Sequence, residues 1–150
     1  MKIAIASDHR GIEFKKELYN YLKSRGYEVL DCSETNNETD DYPDYAFKVG
    51  MSIINKESDL GILICGTGIG MSIAANKIKG IYCARVVTES DAKLARTHNG
   101  ANIIAIDSNN IELAKKIIAA FLETEALDDE RHRRRYEKII EIEKREYNGL

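Results

Sequence analysis

The chain has 150 residues, of which 43% are hydrophobic and 31% are charged, and its formal net charge is −3. This length is typical of one domain that buries its own core, so we expect a single domain over residues 1–150. The negative charge argues against a protein whose whole surface attracts nucleic acid or anionic lipid. No apolar run approaches the roughly 20 residues that span a bilayer, and the apolar segment at the N-terminus is too short for a secretory signal. We therefore predict a cytoplasmic protein that binds neither nucleic acid nor membrane.

Short runs rich in β-branched residues alternate with longer amphipathic stretches along the chain. We predict strands at residues 2–7, 27–31, 60–65, 82–87 and 102–107. All except 27–31 are nearly continuous in apolar residues, as strands covered on both faces are. The alternation of strands and helices predicts an α/β fold, with a doubly wound sheet of five parallel strands and right-handed crossovers.

Two segments do not fit this alternation. Residues 32–44 are polar and acidic and contain the only proline, so we predict a surface loop, whose length suggests a role in function or in contact with another chain. Residues 128–147 have a helical pattern with few apolar positions after the core, residues 1–123, has ended. We predict that this C-terminal helix lies across a neighbouring subunit, with a solvated helix as the alternative. The basic cluster at 131–135 is by itself typical of a solvated helix face.

Reactive side chains are concentrated in three segments. The first is Ser7-Asp8-His9-Arg10-Gly11 after the first strand, the second runs from Cys65 to Ser72 after the third strand, and the third is Arg96-Thr97-His98-Asn99-Gly100 just before the fifth strand. Ligands of open parallel sheets bind beyond the carboxyl ends of the strands. We therefore expect the three segments to converge on one edge of the sheet.

The loop after the third strand has glycines at every second position, namely Gly66, Gly68 and Gly70. Such a loop leaves its backbone N–H groups uncovered, and the helix that follows adds its own free N–H groups, so the pattern predicts an anion cradle. A nucleotide-binding loop is the rival interpretation. However, this loop lacks the Lys-Ser/Thr of a P-loop and does not have GxGxxG spacing. A plain tight turn remains a further alternative.

Cys65 lies between the third strand and this loop. The dipoles of the loop favour a thiolate there, which makes Cys65 a candidate base. The alternative is a small buried core residue, an interpretation that suits Cys83 in the middle of a strand. A base next to preorganised N–H donors is what proton abstraction beside a carbonyl requires, because the donors stabilise the enediolate oxygen as its charge develops.

Five segments, in matching order and spread over nearly the whole chain, resemble ribose-5-phosphate isomerase type B. The wider family also includes the allose-6-phosphate and galactose-6-phosphate isomerases. The segments are Ser7-Asp8-His9-Arg10-Gly11, Asp41-Tyr42-Pro43, Ile64-Cys65-Gly66-Thr67-Gly68-Ile69-Gly70-Met71-Ser72-Ile73-Ala74-Ala75-Asn76-Lys77, Arg96-Thr97-His98-Asn99 and Arg131-His132.

The resemblance implies a Rossmann-like fold, a phosphorylated sugar as substrate, no metal or organic cofactor, and a homodimer or tetramer with each active site shared across a subunit interface. The implied catalytic residues are Cys65, the base that moves a proton between C1 and C2, with the Thr67 hydroxyl beside it, His98, which opens the sugar ring, and Asp8, which binds sugar hydroxyls. The implied substrate-binding residues are Gly66, Gly68, Gly70 and Ser72 for the enediolate, Asn99, and His9, Arg131 and Arg135 for the phosphate.

The sequence departs from the family at three places. After Gly80-Ile81, Tyr82 takes the place of the arginine that is usual in the family. Gly100 replaces an aspartate, and the segment around Asn109 lacks an arginine that the family usually has. These departures leave the preferred sugar open between ribose 5-phosphate and a six-carbon substrate such as allose 6-phosphate. A non-catalytic module that binds a sugar phosphate or a nucleotide would explain the glycine loop and the basic cluster, but it would not explain Cys65 and His98.

Overall fold

The computed structural model describes residues 1–145 of the chain. Five strands and six α-helices follow one another in that part. The strands are β1 (Lys2–Ser7), β2 (Glu28–Asp31), β3 (Leu60–Ile64), β4 (Cys83–Arg85) and β5 (Ile103–Ile106). The helices are α1 (Ile12–Ser24), α2 (Tyr42–Ile54), α3 (Ile69–Ala75), α4 (Glu89–Thr97), α5 (Ile111–Glu123) and α6 (Glu130–Lys144), and a short 3-10 turn at His9–Gly11 precedes α1.

The strands form one sheet in the order β2-β1-β3-β5-β4, with every pair parallel. The predicted α/β fold with five parallel strands is confirmed. The strand ends differ from the prediction by at most two residues, most clearly in β4. This edge strand pairs only with β5, over Cys83 to Arg85, and the buried Val86 beyond it still donates its N–H to the Ala105 carbonyl of β5 at 3.0 Å.

Helices cover both faces of the sheet. Helices α1, α4 and α5 pack on one face, over a buried cluster that includes Leu18, Ile62 and Phe121. Helices α2 and α3 pack on the other face, over a cluster that includes Leu63 and Met71. Because neighbouring strand residues point to opposite faces, burial of both faces requires the nearly continuous apolar strands of the sequence.

The strand order reverses between β1 and β3. From β1 the chain passes to β2 on one side, whereas β3 pairs with β1 on the other side. Such a reversal leaves a crevice at the carboxyl ends of the two strands, where ligands of this fold class bind. Ser7 pairs with Ile64 in the register, so Asp8 and Cys65 are the first residues beyond the paired strands.

The segment predicted as a loop over 32–44 is a loop only as far as Asp41, because α2 begins at Tyr42. Pro43 lies in the first turn of α2, where a proline is well tolerated since its missing N–H has no partner in a helix anyway. The proline therefore marks the start of a helix here, and the prediction for residues 42–44 is wrong.

The predicted C-terminal helix is present as α6, while residues 146 and 147 of the prediction lie outside the described residues. Helix α6 packs on its own chain. His132 is buried, the Tyr136 hydroxyl donates to the Thr97 carbonyl at 3.1 Å, and the Glu143 carboxylate accepts the Gly80 N–H at 2.9 Å. The predicted contact between α6 and a neighbouring subunit stays a prediction. Between residues 1 and 145, no helix has both the length and the apolar character that a membrane span needs.

Candidate active site

Cys65 lies directly after β3, and the glycine loop folds back over its sulfur. The Gly68 N–H donates to Cys65 Sγ at 3.1 Å, and the residue is only 6% exposed. Gly68 has a φ of +77°, a left-handed conformation that residues with a Cβ adopt at a cost. A Cβ at this position would also lie 3.1 Å from the Ala105 carbonyl oxygen. The close fold of the loop around the thiol therefore depends on glycine.

The rest of the loop presents polar groups to solvent. Gly66 and Thr67 are exposed, and the Thr67 hydroxyl accepts the Ile69 N–H at 3.2 Å. Among the described residues, the backbone N–H groups of Gly66, Thr67 and Gly70 have no hydrogen-bond partner. The Ser72 hydroxyl is turned to its own helix and donates to the Ile69 carbonyl at 3.1 Å. The free N–H groups next to the thiol make this loop suited to bind an oxyanion.

An arginine outside the predicted set of site residues contacts the loop. Arg85 ends β4 at the same edge of the sheet, and its Nε donates to the Thr67 carbonyl at 2.9 Å. The sequence lacks arginines near Tyr82 and Asn109, where the family usually has them, and Arg85 is not among the residues predicted for the site. Its position near the carboxyl end of a strand was the available indication.

Asp8 and His9 follow β1 on the other side of the crevice. Asp8 caps the 3-10 turn, where its Oδ1 accepts the Arg10 N–H at 3.1 Å. His9 contacts Asp40 twice, through its backbone N–H at 3.0 Å and through its Nδ1 at 2.6 Å. Because Nδ1 is held by a carboxylate, Nε2 is the ring nitrogen left for a ligand.

Asp40 is the centre of a partly buried polar cluster. Its side chain is 5% exposed, and its Oδ2 accepts the Tyr45 hydroxyl at 2.8 Å and the Asn36 amide at 3.0 Å. Burial alone would raise the pKa of Asp40, but hydrogen bonds from Asn36, His9 and Tyr45 outweigh it and hold the pKa well below its usual range. Asp40, Asn36 and Tyr45 are not among the residues predicted for the site. The long acidic loop just before Asp41-Tyr42-Pro43 was the indication.

His98 lies at the opposite edge of the sheet from Cys65. It follows α4 and precedes β5, and the Gly61 N–H at the start of β3 donates to the Asn102 carbonyl at 2.9 Å. Cys65 is four residues further along β3, which at about 3.3 Å per residue is a separation of about 13 Å along the strand. The expectation that all three segments converge on one edge is therefore wrong within one chain. In a parallel sheet, a segment that precedes a strand lies at the edge opposite to segments that follow strands.

Helix α6 brings further side chains to the edge that carries His98. The His98 ring stacks on the His132 ring, with 4.5 Å between the ring centroids and 18° between the planes. Asn99 lines a cavity of about 190 Å³ beside Tyr136 and Ile139. The larger set of predicted residues thus falls into two groups. The carboxyl-edge group is Asp8, His9, Cys65, Gly66, Thr67, Gly68, Gly70 and Ser72, and the amino-edge group is His98, Asn99, Arg131 and Arg135.

The two arginines of the amino-edge group are exposed on α6, four residues apart and thus on one helix face. Between them, Arg133 is engaged by Asp128, and its pKa is raised by that hydrogen bond. Arg131 and Arg135 have no ion-pair partner among residues 1–145. Paired guanidinium groups of this kind suit a phosphate, which they bind with two parallel hydrogen bonds each.

Comparisons with known proteins identify the family. A family model described as ribose/galactose isomerase matches residues 3–139. The chain belongs to the ribose/galactose isomerase family. Ribose-5-phosphate isomerase B of Escherichia coli is 43% identical over 146 residues, which cover 96% of this chain and 97% of that protein. Membership of the ribose/galactose isomerase family confirms the resemblance and makes the chain an aldose–ketose isomerase.

Solved structures in the same family agree with the fold. Ribose-5-phosphate isomerase B of Clostridium thermocellum has a TM-score of 0.91 and 46% identity, with 96% of this chain and 98% of that chain covered. Ribose-5-phosphate isomerase B of Mycoplasma genitalium with bound ribulose-5-phosphate has a TM-score of 0.89 and 43% identity, with 97% of each chain covered. The Rossmann-like fold expected from the resemblance is confirmed.

Proposed function

We propose that the chain interconverts ribose 5-phosphate and ribulose 5-phosphate through a cis-enediolate, with Cys65 as the base. The observation that carries this proposal is the Cys65 thiol enclosed by a loop with free N–H groups, in a chain similar to proteins named ribose-5-phosphate isomerase B. One of those proteins was solved with bound ribulose-5-phosphate.

The proton transfer follows from the loop geometry. Cys65 removes the C2 proton of the open aldose, the electron pair forms the C1=C2 double bond, and the former carbonyl oxygen becomes the enediolate oxygen. The free N–H groups of the loop stabilise that charge, with the Thr67 hydroxyl beside them. The proton of the C2 hydroxyl then moves to the oxygen on C1, and Cys65 returns the proton that it removed from C2 to C1. These two transfers complete the ketose.

Two further tasks are needed, ring opening and phosphate binding. His98 moves a proton from the anomeric hydroxyl towards the ring oxygen, a role suited to an imidazole, which can accept a proton at one ring nitrogen and donate one from the other. Asp8 binds sugar hydroxyls, and Asn99 makes a further substrate contact. His9, Arg131 and Arg135 bind the phosphate, so that binding energy from a remote group holds the reacting carbons in place.

These roles require two copies of the chain. His98, Asn99 and the two arginines lie at the amino edge, whereas Cys65 lies at the carboxyl edge, and about 13 Å of β3 separates the two edges. We therefore infer a homodimer or a tetramer, in which the amino-edge group of one copy completes the carboxyl-edge group of another. A cytoplasmic location and the absence of a cofactor stay predictions.

A six-carbon sugar phosphate such as allose 6-phosphate is the alternative substrate, because Tyr82 and the segment around Asn109, where the family usually has arginines, leave the preferred sugar open. Solvent deuterium exchange into ribose 5-phosphate separates an isomerase from a non-catalytic binding module. The ratio of kcat/KM values for ribose 5-phosphate and allose 6-phosphate then decides the substrate. We expect the ratio to favour ribose 5-phosphate, and a clear preference for the six-carbon sugar would overturn the proposal.

A further inference from the structure

The peptide unit between Thr67 and Gly68 is held at both of its polar groups. Its N–H, which belongs to Gly68, donates to Cys65 Sγ at 3.1 Å. Its carbonyl, which belongs to Thr67, accepts the Nε–H of Arg85 at 2.9 Å. Because a trans peptide unit is planar, its carbonyl and its N–H point in nearly opposite directions. The contact with Arg85 therefore fixes the direction of the N–H that faces the thiol.

This peptide unit needs such a contact, since the residue that follows its carbonyl is a glycine. Gly68 has a φ of +77°, and glycine adopts positive and negative φ values about equally readily. Rotation of the peptide unit by half a turn would therefore meet little resistance from Gly68 itself. It would aim the Thr67 carbonyl oxygen at the sulfur, where the carbonyl dipole disfavours a thiolate.

Arg85 has no other partner that competes for its charge. It ends the edge strand β4, its side chain is exposed, and it has no ion-pair partner among the described residues. Within residues 1–145, the bond to the Thr67 carbonyl is the one hydrogen bond that its side chain makes. A guanidinium bound to a carbonyl oxygen polarises the peptide unit and strengthens its N–H as a donor. The same positive charge favours a nearby thiolate.

We propose that Arg85 is a positioning residue for the base, whose bond to the Thr67 carbonyl aims the Gly68 N–H at Cys65 Sγ. The donor then stays in place while the sulfur carries negative charge. The inference rests on the proposed function, because it takes Cys65 as the base. The competing explanations are that Arg85 binds the substrate through its remaining N–H groups, or that it only braces β4 against the loop.

The test combines thiol reactivity with turnover. Iodoacetamide alkylates the thiolate form of a cysteine, so its rate at Cys65, followed by peptide mapping, reports how far the thiolate is favoured without any substrate. The variants are Arg85→Leu, which removes the donor and the charge, and Arg85→Lys, which keeps a charged donor. Lys93→Leu is the matched control, because it removes one positive charge from an exposed position of α4.

We expect Arg85→Leu to slow the alkylation of Cys65 and to lower kcat for ribose 5-phosphate, each by about threefold to tenfold, which corresponds to the loss of one typical hydrogen bond. KM should stay within about twofold of wild type, because the lost contact acts on the base and not on the bound sugar. Arg85→Lys should restore most of both rates, and Lys93→Leu should match wild type in both.

Cys83, two residues before Arg85 in β4, is the internal control for the strand, and its alkylation rate should not change. Faster alkylation of either cysteine in Arg85→Leu would show a loosened loop or strand and would overturn the inference. Unchanged alkylation of Cys65 would also overturn it, and a raised KM beside that result would assign Arg85 to substrate binding. If the wild-type chain does not exchange the C2 proton of ribose 5-phosphate, the proposed function is wrong, while the alkylation rates still decide whether Arg85 acts on the thiol.

Discussion

Cys65 and Cys83 differ in their surroundings. Cys65 Sγ accepts a backbone N–H at a strand end, whereas Cys83 lies within β4, where burial raises the pKa of its thiol to about 12. A thiol of that kind is inert at neutral pH. The structure therefore separates a candidate base from a core residue within one protein.

We expect Cys65→Ala to lower turnover by at least about 10²–10⁴-fold, the usual loss when a positioned base is removed. The matched control Cys83→Ala should keep wild-type turnover. The measurement is the rate of deuterium exchange at C2, together with circular dichroism to confirm the fold. Near-normal exchange in Cys65→Ala would assign the base to another residue, with Asp8 the first to examine.

Asp40 links the stability of the chain to pH. Because its folded pKa lies below the ordinary value of about 3.9, the native state binds fewer protons than the unfolded chain in the acid range. The resulting stabilisation is complete above about pH 4 and is lost as the pH falls through the folded pKa.

We expect Asp40→Asn to lower the free energy of unfolding by about 1.5–3 kcal/mol at pH 7, because hydrogen bonds from His9, Tyr45 and Asn36 to a charged acceptor are lost. The difference from wild type should shrink at pH 3. Urea unfolding at the two pH values measures it, with Glu34→Gln in the exposed part of the same loop as a control within about 0.5 kcal/mol of wild type. An equal difference at both pH values would contradict a role for the carboxylate charge.

The loop between β3 and α3 depends on backbone conformation more than on side chains. Gly68 and Gly26 both have a positive φ, but a Cβ at Gly26 meets nothing within 4 Å, whereas a Cβ at Gly68 meets the backbone of β5. Gly26→Ala should cost only the backbone strain of about 1–2 kcal/mol and keep full turnover. Gly68→Ala should cost more and also lower turnover by about tenfold or more, because the loop N–H groups move. Thermal melts and kcat values compare the two, and full turnover in Gly68→Ala would contradict the anion cradle.

The exposed arginines of helix α6 allow a test of phosphate binding, because two of them are proposed to bind the phosphate and Arg134 is not. We expect Arg131→Ala and Arg135→Ala to lower kcat/KM for ribose 5-phosphate much more than for free ribose, since the lost contact is to the phosphate. Arg134→Ala, on the same helix and equally exposed, should leave both values near wild type. A loss of similar size for free ribose would argue that these arginines do not bind the phosphate.

The strands of the core could be predicted from the sequence because a strand that is buried on both faces is a nearly continuous run of apolar residues. Pro43 shows where local reasoning fails, since one residue type fits both a loop and the first turn of a helix. The site was harder. The Cys65 loop carries its chemistry in consecutive residues, whereas Asp40 gains its role from contacts with His9 and Tyr45 that only the folded chain brings together.

The arrangement of the whole molecule explains the remaining error. His98 follows a helix and precedes β5, and strand direction alone assigns it to the edge away from Cys65. The pattern of strands and helices predicts a parallel sheet. In such a sheet, a residue before a strand and a residue after a strand lie at opposite edges, so the placement of His98 and Cys65 could be predicted from the sequence.

We expect two inactive variants to restore each other when they carry defects at different edges. A pair formed from Cys65→Ala and His98→Asn chains has one doubly damaged site and one intact site. Random pairing then gives about a quarter of wild-type activity. Mixing Cys65→Ala with Asp8→Asn is the matched control, and it should restore nothing, because both defects lie in the carboxyl-edge group. Absence of rescue in the first mixture, with subunit exchange verified by a tagged chain, would contradict the shared site.

The proposed division of the catalytic groups between the two edges of the sheet would also make the specific activity depend on the concentration of the chain. At concentrations below the dissociation constant of the pair, the number of complete sites rises with the square of the chain concentration, by simple mass action. A sugar phosphate that bridges the two copies shifts that equilibrium towards the pair. The specific activity would therefore fall when the sample is diluted and recover when substrate is added. The sugar phosphate would thus promote formation of the active pair that converts it.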